Sequence, residues 1–104
     1  MAPHARGPLT EPMFYILMSL LKRPMCGTEI ADFALSHTGG RVRLGPGTLY
    51  TLLGKFLDEA WIEQTEAEGR KRTYQLTDRG RSAYEAEVAR LRACLADAEE
   101  EDFK

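Results

Sequence analysis

Cysteine and histidine are scarce in this sequence, and their placement removes whole classes of function. The two cysteines, Cys26 and Cys94, and the two histidines, His4 and His37, fall in no Cys-x-x-Cys pair and at no other metal-ligand spacing. No zinc or metal-sensing site is therefore expected, and two isolated thiols suit a reducing compartment better than a disulfide framework. Long apolar runs are missing too. The longest, from Met13 to Leu21, is broken by Ser19 and fenced by Pro12 and Lys22, far short of the roughly 20 residues a membrane span needs. The stretch from Met1 to Pro8 carries Arg6 with no apolar segment behind it, which is not a signal-peptide pattern. A cytoplasmic protein without membrane contact is expected. No nucleophile, base and orienting group stand at a recognisable spacing, and Gly45 and Gly47 lead into Thr48-Leu49-Tyr50 instead of the Gly-Lys-Ser/Thr of a phosphate-binding loop. Neither an enzyme nor a cofactor is expected.

A strong positive charge is also lacking, since the net charge is −2 over 104 residues. Its distribution is more telling. Residues 1–82 hold 11 Lys and Arg against 9 Asp and Glu, and residues 83–104 hold 3 against 7. Arg70, Lys71, Arg72, Arg79 and Arg81 crowd one short segment in which Asp78 is the sole acid. A local basic tip on a near-neutral domain suits specific DNA binding and excludes a histone-like coating of charge.

The length allows one domain with one core. Residues 1–8, with two prolines and a glycine, read as an arm. Thr10 can cap a helix with Glu11 and Pro12 in its first turn, running to about Lys22 and stopped by Pro24. That helix is apolar around most of its girth and must be covered on several sides; Phe14, Leu17, Met18 and Leu21 are expected to meet a partner chain. A second helix spans about Gly27 to His37, with Ile30, Phe33, Ala34 and His37 inward and Gly39-Gly40 ending it. Arg41 to Leu44 reads as a short extended strand. A third helix starts at Pro46 and reaches about Glu59, its apolar stripe being Leu49, Leu52, Leu53, Phe56 and Leu57.

Trp61–Thr65 and Thr73–Thr77 then read as a hairpin turning near Glu68-Gly69, with Trp61 in the core. Thr77 or Asp78 caps a last helix to about Glu99. Tyr84, Val88, Leu91, Leu95 and Ala98 on it step by four and three, a heptad seam for a partner helix. The predicted architecture is mainly α with a small β-hairpin: a winged helix-turn-helix over 9–78, and a dimerisation helix with an acidic tail over 79–104.

The polar positions take their meaning from that architecture. The major groove admits one helix, read from its N-terminal half. Gly47 lets the backbone approach, Thr48 and Thr51 can donate to base or phosphate acceptors, and Lys55 reaches a phosphate. Tyr50 can bond a phosphate through its hydroxyl, and Arg43, with Arg41, adds candidate phosphate contacts. Arg70, Lys71 and Arg72 at the wing suit the minor groove or its phosphates.

With Tyr15-Ile16-Leu17-Met18-Ser19-Leu20-Leu21, Cys26-Gly27-Thr28-Glu29-Ile30, Gly45-Pro46-Gly47-Thr48-Leu49-Tyr50 and the wing Gly69-Arg70-Lys71-Arg72-Thr73-Tyr74-Gln75-Leu76-Thr77-Asp78-Arg79-Gly80, the chain resembles the PadR family of bacterial transcriptional regulators over about residues 9–82. The resemblance implies a homodimer held by the first and last helices, repression at a pseudo-palindromic operator on double-stranded DNA, and release by a small aromatic effector as in several relatives. The single short terminal helix looks like the compact branch of the family. Departures stand at Gly54, where relatives often carry a basic or larger residue, at Ala60 in place of the usual glycine, and at Gly45 in place of a capping Ser or Thr. The last helix also lacks the tryptophan of multidrug-binding relatives, which argues against an aromatic sandwich. Gly54 and the acidic tail Asp97–Asp102 motivate the alternative, a winged-helix interaction module without direct DNA binding.

Overall fold

In the computed structural model the described residues are 8–65 and 71–102. The elements run α1 (Glu11–Ser19), β1 (Met25–Cys26), α2 (Gly27–His37), α3 (Pro46–Asp58), β2 (Ile62–Thr65), β3 (Thr73–Leu76) and α4 (Asp78–Asp102). Three helices pack around one core, a three-stranded antiparallel sheet of order β1-β3-β2 closes one side, and α4 leaves the domain. This is a winged helix. Among the described residues no helix is long and apolar enough to cross a membrane.

Thr10 caps α1, accepting the Met13 N–H at 3.3 Å. The helix stops at Ser19, a turn earlier than the sequence suggests. The buried Ser19 hydroxyl donates back to the Ile16 carbonyl at 2.6 Å, and the Leu20 and Leu21 amides bond three residues back instead of four. Such back-bonding tightens and ends a helix, and Pro24 then prevents its resumption.

The short strand precedes α2 instead of following it. Met25 and Cys26 pair with Tyr74 and Thr73 along the open edge of β3. The segment 41–44 does alternate, with Val42 and Leu44 buried and Arg41 and Arg43 exposed. Alternation makes a chain extended, but a strand also needs a ladder, and the free edge of β3 is already taken.

Both helix-turn-helix helices end in the same six-residue device. Gly40 N–H reaches the Leu35 carbonyl at 2.8 Å with Gly39 at φ 63°, and Trp61 N–H reaches the Phe56 carbonyl at 2.9 Å with Ala60 at φ 61°. At the second end the Phe56 and Trp61 rings add a contact at 5.3 Å. Trp61 is buried, as the sequence suggests. His37 is not turned inward: it is exposed, with its ring stacked on half-buried Phe33 at 4.7 Å.

Ile16, Leu17, Ile30, Leu53, Phe56 and Ile62 form the fully buried centre. Leu17 is 0% exposed and lies inside the protomer, so it has no surface to offer a partner. On α1 an inward-facing leucine and an outward-facing one look alike until the packing of α2 and α4 shows which sides are covered. The hairpin is held in register from Ile62↔Leu76 to Thr65↔Thr73. The Glu68-Gly69 turn lies outside the described residues.

Candidate nucleic-acid interface

The stripe Leu49, Leu53 and Phe56 seats α3 in the core. At 100° per residue this leaves Gly47, Thr51 and Gly54 along the middle of the opposite face. Thr48 and Lys55 lie on one flank and Tyr50 on the other. All of these are exposed, and a Cβ built at Gly45, Gly47 or Gly54 would meet nothing within 4 Å. The face is smooth and open to approach. No acidic residue stands in the first turn of α3 and no side chain caps it, so its partial positive end is not neutralised locally.

Tyr50, 51% exposed, bridges from α3 to the start of α2. A Cβ on Gly27 would fall 2.3 Å from the Tyr50 hydroxyl oxygen; glycine is what lets the phenol lie there. The same ring borders a cleft of about 420 Å³ lined by Cys26, Gly27, Thr28, Tyr50, Lys71, Arg72 and Tyr74. The wing base thus delivers Lys71 and Arg72 to the start of α2, because β3 pairs with β1 directly before it. Burial pushes the Tyr74 phenol above its ordinary pKa, with the Arg72 charge and hydrogen bonding acting in the opposite direction. Glu29 reaches back to accept the Cys26 N–H at 2.9 Å, which holds its carboxyl below the ordinary value, with Arg23 and Lys71 contributing by charge.

Not every predicted residue joins this surface. Arg43 is exposed in the segment leading into α3. Arg41 instead turns to α1, donating to Glu11 and, at 3.3 Å, to the Tyr15 hydroxyl. Arg70 lies outside the described residues. The basic cluster divides, for Arg79 donates to the Glu59 carbonyl at 2.9 Å and Arg81 to the Leu21 carbonyl at 3.2 Å, leaving Lys71 and Arg72 at the cleft. Sequence reasoning missed Gly27 and Thr28. The signal was present, since Glu29 three residues after Cys26 is the capping-box spacing that marks a helix start.

A family model for PadR-like transcriptional regulators matches residues 16–86, most of the chain. The chain belongs to the PadR-like family. It is a transcriptional regulator built on a DNA-binding winged helix, in a family of regulators and not of enzymes. Solved structures share its fold. A transcriptional regulator from Clostridium thermocellum is 19% identical with a TM-score of 0.77, the match covering 85% of this chain and 89% of that one. A PadR family regulator from Clostridium difficile is 22% identical with a TM-score of 0.76, covering 88% and 97%. Bacillus subtilis PadR, solved in complex with operator DNA, is 25% identical with a TM-score of 0.68, covering 78% of this chain and 48% of that protein. A comparison with curated proteins returns no match.

This PadR-like chain carries a second surface on α4. Only Gly80, Ala83 and Glu87 of that helix are buried. Tyr84 and Val88 are half-buried, Leu91 is 39% exposed, Leu95 58%, and Ala98 is exposed. Phe14 and Met18 on α1 and Leu21 just after it are half-buried, and the Phe14 ring stacks on Tyr84 at 5.2 Å. Glu87 was not expected inside. It is 5% exposed, bonded by Arg90 at 3.0 and 2.6 Å. That pairing, with the Leu9 amide, holds its carboxyl below the ordinary value against the opposing effect of burial.

Proposed function

We propose that this PadR-like protein is a homodimeric repressor of a pseudo-palindromic operator, released by a small aromatic effector. Each α3 enters a major groove, and the two subunits read successive grooves on one face of the duplex. Gly47 admits the backbone, Thr48 and Thr51 meet base edges or adjoining phosphates, and Lys55 and Arg43 hold the strand. Tyr50, Lys71 and Arg72 take a phosphate at the cleft, and the wing carries Arg70 toward the minor groove.

The observation that carries this reading is the convergence of Tyr50 with Lys71 and Arg72 beside the exposed face of α3. The Bacillus subtilis PadR solved with operator DNA supports it. The dimer is supported by the row Leu91, Leu95 and Ala98, exposed on a helix that has left its own core. A pocket of about 220 Å³ between α1 and α4, lined in part by Leu9, Phe14, Tyr15, Leu91 and the Glu87–Arg90 pair, suits a small planar aromatic with a polar substituent.

Fluorescence anisotropy of a labelled fragment of the protein's own promoter, at two salt concentrations, tests the reading. Nanomolar binding is expected, weakening with salt by a slope of about −0.9 per neutralised phosphate. Lys71→Ala and Arg72→Ala should each flatten that slope, whereas Thr48→Ala and Thr51→Ala should change base preference more than salt dependence. Binding no tighter than to unrelated DNA would overturn the proposal, and indifference to planar aromatics would remove the effector.

A further inference from the structure

A Cβ built on Gly80 would lie 2.0 Å from the Trp61 carbonyl oxygen and 2.8 Å from its carbon. The backbone of α4 is therefore pressed against the backbone of the turn that ends α3, with no side chain between them. Polar links surround the contact. Thr77 N–H donates to the Trp61 carbonyl at 3.0 Å. The Thr77 hydroxyl lies 2.7 Å from the Ala60 carbonyl and 3.0 Å from that of Trp61, sharing its proton, and accepts the Gly80 N–H at 3.0 Å. Arg79 Nε donates to the Glu59 carbonyl, the residue that caps α3.

The acceptors at the end of α3 are the main-chain carbonyls of Glu59, Ala60 and Trp61, which cannot swing aside as side chains do. A helix whose first turn is bonded to the end of another must turn with it. We propose that Thr77, Arg79 and Gly80 are positioning residues that determine operator spacing: they join α3 to α4 as one body, so the crossing angle of the two α4 helices in the dimer sets the distance and twist between the two reading helices. The inference rests on the dimeric, operator-binding reading above. Inserting one base pair between half-sites displaces one of them by ~3.4 Å and rotates it by ~35°. A rigid joint cannot follow that change, and a loosened one can.

The test uses the full-length dimer and operators whose half-site spacing is native, one base pair longer or one shorter, with an isolated half-site as reference. The wild type is expected to lose about tenfold in affinity for either altered spacing. Arg79→Met and Thr77→Val, each checked for folding by thermal melt and for dimerisation by light scattering, should keep half-site affinity while the spacing penalty shrinks to about threefold or less. Arg79→Lys, which keeps a donor near the Glu59 carbonyl, should retain most of the wild-type penalty. A penalty unchanged in both Arg79→Met and Thr77→Val overturns the inference while leaving operator binding intact. Absence of wild-type binding at every spacing defeats the operator reading itself.

Discussion

Helices α3 and α4 solve opposite problems. The 13-residue α3 buries Leu49, Leu53 and Phe56 and keeps a small-residue face outside. The 25-residue α4 buries only Gly80, Ala83 and Glu87, and every residue of it from Ala89 on is exposed. One is positioned by apolar packing within the protomer. The other is positioned at its start by hydrogen bonds to carbonyls and leaves Leu91, Leu95 and Ala98 exposed. The contrast separates two supports: the exposed face of α3 rests on the monomer fold, and the distal α4 row, in the dimer proposed above, would rest on association.

Substitutions sharpen the contrast, beginning with the largest effect. Leu53→Ala should destabilise the domain by about 3–5 kcal/mol, through lost transfer energy and a cavity where no solvent reaches; urea unfolding checks it. Leu91→Glu with Leu95→Glu should yield a folded monomer by light scattering, because both side chains are already exposed in the protomer. A persistent dimer would sink the assignment of that row to the interface.

Glu87→Gln should cost about 1–2 kcal/mol near neutral pH, the half-exposed Arg90 limiting the effect. Because the folded-state pKa of Glu87 lies below its ordinary value of 4.5, its contribution is present above that value and lost as pH falls through the folded pKa. Wild type and Glu87→Gln should therefore converge in acid. The smallest effect is Ala60→Gly, which relieves a left-handed residue and should stabilise by about 1 kcal/mol, raising the melting temperature slightly.

Much of this was legible in the residues because it is periodic. The α3 stripe, the α4 heptad steps and the hairpin repeat their patterns over enough turns to be read. β1 is not legible, since two residues carry no period and its pairing depends on where β3 leaves an edge. Leu17 was misassigned because a uniformly apolar helix conceals which side is covered. The inward place of Glu87 depends on Arg90 one turn along and on the Leu9 amide arriving from the other end of the chain. The contact of Tyr50 with Gly27 likewise joins residues whose proximity only the packing of α2 on α3 decides. Charge counting also could not separate Arg79 and Arg81, spent on carbonyls, from Lys71 and Arg72.

Gly54 has an evolutionary consequence. It sits in the middle of the exposed face of α3 proposed to read DNA, and a side chain added there meets nothing within 4 Å. Replacing a mid-helix glycine also favours the helix by up to about 1 kcal/mol. The position is thus a blank that arginine, asparagine or glutamine could occupy without a folding penalty, each with its own base preference. With α3 in the major groove as proposed, a lineage carrying this chain would acquire a new target sequence in a single step, and reverse that step as readily.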